Sequence, residues 1–171
     1  MTDMAPATPA DLFARLTELN ISSTTLDHPA VHTAEELAAH VGHLPGVNVR
    51  NLFFADAKKK MWLVVVPFDL PIDLKKLADV IGAARLSFGS PDRLMRVLGV
   101  TPGSVTPFAV INDHARAVQL ILDAGMMRGD IINAHPLINT MTTAIKTADL
   151  LRFVEACGHP PRLIDLTRAQ P

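Results

Sequence analysis

Apolar residues recur at helical spacing in some stretches of the chain and form alternating or unbroken runs in others, with turn residues between them. Leu12, Leu16 and Leu19 return every three or four residues behind Thr8-Pro9, which predicts a first helix ended near Asn20. Ser22 to Asp27 is rich in Thr and reads as a short strand stopped by His28-Pro29. Thr33 and Glu36 make a capping box, and Leu37, Val41 and Leu44 give the following helix one apolar face before Pro45-Gly46 ends it.

Two strands follow, Val49 to Ala55 and Met61 to Pro67, joined by a polar, hairpin-sized connector from Asp56 to Lys60. Trp62 to Val66 is apolar without a break, so this strand should be covered on both faces. Asp73 opens a helix through Val80, and Ser90-Pro91-Asp92 opens another to about Leu98. Gly99 to Pro107 is a Gly/Pro loop. Phe108 to Asn112, Ala117 to Asp123 and Thr140 to Ile145 read as strands. Thr147 should cap a last helix carrying Leu150, Phe153, Val154 and Cys157, stopped by Gly158 and Pro160-Pro161, and Arg162 to Leu166 reads as a final strand. Several neighbouring strands have connectors too short for a helix. The pattern predicts an α/β fold whose sheet is mixed or mostly antiparallel. Only residues 1–7 and 167–171 read as loose, so the expectation is a single domain over 1–171 with an ordered core at about 8–166.

Composition narrows the function. Of 171 residues, 49% are apolar and 19% charged, which is globular and sufficient for one core. The formal net charge of -1 excludes binding nucleic acid through a global basic field, so phosphate contacts must be local. With seven Phe, one Trp and no Tyr, a stacking platform for several bases is not expected. The single cysteine, Cys157, excludes an internal disulfide and a cysteine-built zinc site, and fits a reducing, cytoplasmic setting. The N-terminal residues lack a signal-peptide pattern, and Met61 to Pro67 falls far short of the ~20 apolar residues of a membrane span.

Candidate chemistry sits in a few places. In Thr101-Pro102-Gly103-Ser104-Val105-Thr106-Pro107, Pro-Gly suits a type II turn, and Pro107 holds Thr106 extended. Free N–H groups from Gly103 to Val105 could hold an ester carbonyl and the oxyanion it becomes; an ordinary stiff turn has the same pattern. His135 before Pro136 could bond to a substrate or shuttle a proton, or it could be a structural turn histidine. Arg50 can clamp a phosphate and Asn51 can bond a sugar hydroxyl, or both can simply start a strand. His28-x3-His32 and His40-x2-His43 have metal-like spacing without a third ligand, so no metal is expected. Lys58 to Lys60 is a solvated hairpin tip, and Cys157 is core. Ser104 has no G-x-S-x-G elbow and no triad pattern.

Taken in order, the pieces Arg50-Asn51-Leu52-Phe53, Gly103 to Phe108, Ile111-Asn112-Asp113, His135-Pro136-Leu137, Asn139-Thr140 and Thr142-Thr143 resemble the YbaK/prolyl-tRNA-synthetase-associated domain family, and within it the free-standing alanyl-tRNA(Pro) deacylases. The resemblance runs from about Leu12 to Leu166. It implies a central mixed, barrel-like sheet surrounded by helices. It also implies trans-editing, the hydrolysis of the ester joining a wrong amino acid to the 3′ adenosine of proline tRNA. Carried over by position, Gly103, Ser104, Val105 and His135 are the catalytic set, and Arg50, Asn51, Thr106 and Pro107 bind substrate. No metal or cofactor is implied. The partners implied are mischarged tRNA(Pro) and, transiently, prolyl-tRNA synthetase or an elongation factor, with a monomer expected. Arg50 stands where the family usually has Lys; it keeps the charge but cannot serve as a neutral amine. The same residues leave open a deacylase for another mischarged tRNA (cysteinyl-tRNA(Pro), seryl- or threonyl-tRNA) and a non-catalytic tRNA-binding module.

Overall fold

The computed structural model describes residues 5–31 and 33–171. In chain order the elements are α1 (Pro9–Glu18), β1 (Ser23–Asp27), α2 (Ala34–Val41), β2 (Val47–Asp56), β3 (Met61–Pro67), α3 (Leu74–Ile81), β4 (Leu86–Phe88), α4 (Pro91–Leu98), β5 (Val118–Asp123), α5 (Ala124–Met127), β6 (Ile131–Ala134), β7 (Met141–Lys146), α6 (Thr147–Ala156) and β8 (Arg162–Ile164). Short 3₁₀ turns span Pro102–Ser104, Pro107–Asn112 and Leu166–Ala169.

Local chemistry starts most of these elements. Thr8 Oγ1 accepts the Asp11 N–H while the Asp11 carboxylate accepts the Thr8 N–H, a closed capping box in front of Pro9. Asp73 and Ser90 cap α3 and α4 in the same sense, and Gly82 and Gly99 end them in the left-handed conformation that costs glycine nothing. Asp56 closes the β2–β3 hairpin by accepting the N–H groups of Lys58 and Lys60 at 2.9 and 3.0 Å.

The eight strands form one mixed sheet in the order β1-β7-β6-β2-β3-β5-β8, with β4 paired to β2 off that path. The α/β class and the surrounding helices are as expected, but the sheet stays open, with β1 and β8 at its ends rather than paired to each other. β2–β6, β3–β5 and β5–β8 are parallel, and the other pairings are antiparallel. β3 is covered on both sides, as its unbroken apolar run requires. Leu63 and Val65 join a core with α1, α4 and α6, in which Phe108 meets Phe153 edge-on at 5.6 Å. Trp62, Val64 and Val66 join a second core under α3 with Phe54, Leu77 and Ile81.

Several expectations are corrected. Phe108 to Asn112 is helical rather than a strand, because Thr106 Oγ1 accepts the Phe108 N–H at 3.3 Å and Pro107 sits at the first helical position. The Pro-Gly turn is a 3₁₀ turn, closed by the Ser104 N–H on the Thr101 carbonyl at 2.9 Å. Thr147 does not cap α6: it is the helix's first residue, and its hydroxyl donates to the Gly129 carbonyl at 2.7 Å. The final strand ends at Ile164. Residues 167–171 are not a loose tail throughout, since Leu166 and Ala169 are fully buried and the Ala169 carbonyl accepts the Asp73 N–H at 2.8 Å. β4, α5 and β6 are too short to show a period. His32, half of one metal-like His pair, and residues 1–4 lie outside the described residues.

Candidate functional site

The sheet brings three distant segments to one end. β6 runs out of the core at Ala134 and delivers His135; β7 returns at Met141. Between them Leu137 holds a left-handed φ of 71°, a conformation that a branched side chain adopts only when its surroundings impose it. Leu137 is buried and packs in the Phe108 core, which supplies that constraint. The tight turn pushes Asn139 outward, where its Nδ2 donates to the Val31 carbonyl at 3.3 Å.

The glycine loop meets this turn. A Cβ placed on Gly103 would stand 3.1 Å from Asn139 Nδ2, a tight contact that the glycine avoids where the two loops approach. Gly103 is exposed, whereas Ser104, Thr106 and Pro107 are buried and anchor the loop. The Ser104 N–H is spent on Thr101. The N–H groups of Gly103 and Val105 have no acceptor among the described residues. Two of the three backbone donors expected from the sequence are thus available.

His135 has a defined chemical state. Its Nδ1 lies 2.8 Å from the Met141 carbonyl, which only accepts, so Nδ1 carries the proton and neutral His135 presents an Nε2 lone pair. Burial holds its pKa below the usual histidine range; the Met141 bond acts the other way, and nearby His28 adds to the lowering. His135 is therefore an acceptor at neutral pH. The ring of His28 lies 6.1 Å from it, and 5.8 Å from His40 on the other side. His28 Nδ1–H donates to the Pro29 carbonyl at 2.8 Å, leaving Nε2 to accept the Thr142 hydroxyl at 2.8 Å.

Arg50 and Asn51 lie next to each other on β2 and so project to opposite faces. Asn51 shares its face with Val49 and Phe53 of the Phe108 core. Arg50 faces the other way, and its Nη2 donates to the Leu70 carbonyl at 2.9 Å. In the parallel β2–β6 pairing Asn48 stands opposite Asn133. β2 runs on past this pairing to Arg50, whereas β6 ends at Ala134, one residue before His135. Nothing in the local sequence of Asn48 or Asn133 marks this pairing. Asn139 was visible only as part of the ordered motif.

Two further expectations concern metal and thiol. No group of three or more metal-ligating side chains exists among the described residues. Cys157 packs against the core beside α6, and burial pushes its thiol up to about 11, which leaves it unreactive. No helix among the described residues is long and apolar enough to cross a membrane.

The glycine loop, with two unbonded N–H groups, thus approaches the turn that follows His135 at the end of an open mixed sheet. Residues 28–153 match the model of the aminoacyl-tRNA editing domain, and the chain belongs to that family. It is 40% identical over 166 residues to the prolyl-tRNA synthetase associated domain-containing protein 1 of Danio rerio, covering 94% of this chain and 90% of that one. It is 38% identical over 156 residues to the prolyl-tRNA editing protein ProX of Acetoanaerobium sticklandii, covering 91% and 95%. Among solved structures, one proposed to be a trans-editing enzyme for prolyl-tRNA synthetase superposes with a TM-score of 0.69 at 20% identity, over 94% of this chain and 98% of the other, and so shares the fold.

Proposed function

We propose that this protein hydrolyses mischarged alanyl-tRNA(Pro) in trans, releasing alanine and tRNA(Pro) with a free terminal hydroxyl. The observation that carries the reading is the approach of the Gly103 loop to the His135–Asn139 turn, with the Gly103 and Val105 N–H groups unbonded. Those donors would hold the ester carbonyl and strengthen as it becomes an oxyanion. Water attacks the carbonyl carbon, the bond to the ribose oxygen breaks, and that oxygen takes a proton originating from the water. His135 Nε2 would accept a hydrogen bond from the free hydroxyl of the terminal ribose, orienting it beside the ester. Arg50 would add positive charge near the 5′-phosphate of the terminal adenosine, and Asn51 would complete the adenosine contacts. Thr106 and Pro107 act through the loop they anchor.

The alanine preference follows from size. A synthetase site built for proline rejects the smaller alanine by only ~1–3 kcal/mol, so a second site that excludes the ring is needed. The names of the relatives support prolyl-tRNA as the context. A panel of alanyl-, cysteinyl-, seryl-, threonyl- and prolyl-tRNA tests the reading. Alanyl-tRNA(Pro) should be cleared and prolyl-tRNA(Pro) spared. Equal rates on both would refute it. Gly103→Val puts a side chain against Asn139 and over the donors, and should lower the rate ~100-fold while the protein stays folded.

A further inference from the structure

Four buried side-chain atoms among the described residues have no hydrogen-bond partner: Asn48 Oδ1, Arg50 Nε, Asn51 Oδ1 and Asn133 Oδ1. Buried polar atoms are normally paired, so a cluster of exceptions needs a cause. Three of the four share one place. Asn48 and Asn133 are directly paired across the parallel β2–β6 ladder, and paired residues project to one face. Arg50, two residues along β2, projects to that face as well.

The two asparagines are nearly inaccessible, at 9% and 2% exposure. Asn133 is held in one orientation, because its Nδ2 donates to the Pro45 carbonyl at 3.1 Å. Its free atom is therefore the carbonyl oxygen. Two amide oxygens lie on neighbouring strands of one face with no donor for either. An apolar group would leave both unsatisfied, and an anion would be repelled. A compact group carrying several N–H donors and no acceptor, such as a primary ammonium, satisfies both. One strand repeat further along β2, ~6.6 Å, the same face carries Arg50, whose Nε is a donor without an acceptor. The face thus offers two acceptors at its inner level and the Arg50 donor at its outer level. An aminoacyl ester has the complementary order, with its α-ammonium beside the ester carbonyl and ribose oxygens.

We propose that Asn48 and Asn133 form the subsite for the α-ammonium group of the esterified amino acid. The proposal rests on the deacylase reading for the identity of the ligand, and it makes a free amine a requirement for binding. It separates aminoacyl esters from N-blocked ones, whose nitrogen has lost its charge and two of its donors.

The test uses full-length protein and a non-hydrolysable probe, the amide-linked alanyl derivative of 3′-amino-3′-deoxyadenosine, against its N-acetylated form. Binding is measured by calorimetry, and the asparagine side-chain amide resonances are followed by NMR. The wild type should bind the free amine ~10–100-fold more tightly, the range expected for hydrogen bonds to a charged group. Asn48→Leu and Asn133→Leu should lose that preference. Thermal melts check their folding; where a Leu variant does not fold, Asn133→Asp decides, and it should raise the preference severalfold. Unchanged preference in the variants overturns the subsite, as would be seen if the oxygens held only water. So does equal or absent binding of the two probes by the wild type. Hydrolysis of alanyl- and N-acetylalanyl-tRNA at equal rates would remove the subsite and keep the deacylase. Asparagine-dependent preference for the free amine without hydrolysis of any aminoacyl-tRNA would do the reverse.

Discussion

His135 shows how one hydrogen bond sets a residue's chemistry. The Met141 carbonyl takes the Nδ1 proton, so Nε2 is left to accept. His135→Ala should lower deacylation ~100-fold or more with little change in melting temperature, as read by initial rates and calorimetry. The same histidine ties stability to pH. Its folded pKa lies below the ordinary value of 6.5, so between the two values the unfolded chain binds more protons than the native one. Stability is therefore complete above about pH 6.5 and falls as the pH drops towards the folded pKa. His135→Gln should flatten that part of a stability-against-pH curve measured by denaturant titration. His135, Gly103 and Val105 are candidates that residue identity alone offers. The loss of the Ser104 donor could not, because it depends on a 3₁₀ closure that Pro-Gly does not demand.

Elements are held by side chains that stand in for backbone. Asp56 is the clearest case, 7% exposed and accepting from Lys58, Lys60, Trp62 Nε1 at 3.1 Å and the Ala84 N–H at 3.3 Å. Burial raises its pKa, but these bonds outweigh burial and hold it below the usual carboxylate value. Asp56→Ala frees four donors and should cost about 2–4 kcal/mol in urea unfolding. Its depressed pKa means the contribution is present above about pH 4 and is lost as the carboxyl protonates in acid. The long elements were readable because caps and periods agree. Thr8, Thr33, Asp73 and Ser90 all cap as their sequence context suggests. Some of the short ones escaped. β4 and β6, at three and four residues, are strands because β2 lies beside the one and β7 and β2 flank the other, and Phe108 to Asn112 has strand-like residues in a turn set by Thr106 and Pro107.

At the scale of the whole molecule, buried polar links tie the site loops to the rest. Asp113, at the end of the Pro107–Asn112 turn, accepts from His159 Nε2 at 2.8 Å and from the Ala117 and Val118 N–H groups. Both side chains are almost completely buried, at 2% and 3% exposure. Burial pushes Asp113 up, while the His159 bond and the backbone donors hold it below its usual value. Breaking the pair by Asp113→Ala or His159→Ala should cost about 3–5 kcal/mol, because the surviving partner is left unpaired. Replacing both should cost less than the sum, and a double-mutant cycle measures the difference.

The sequence by itself determined the α/β class, the long helices with their caps, the doubly covered β3 and the candidate loop and histidine. Each of these rests on neighbours within a few positions, where period, proline, glycine and capping side chains act. Only the tertiary structure decided that the sheet stays open, that Arg50 and Asn51 face apart, that Asn139 bridges the two loops and that Asn48 meets Asn133. Those facts depend on register between strands some eighty residues apart. Pairing of that kind is fixed by the packing of whole faces, which no local run of residues encodes.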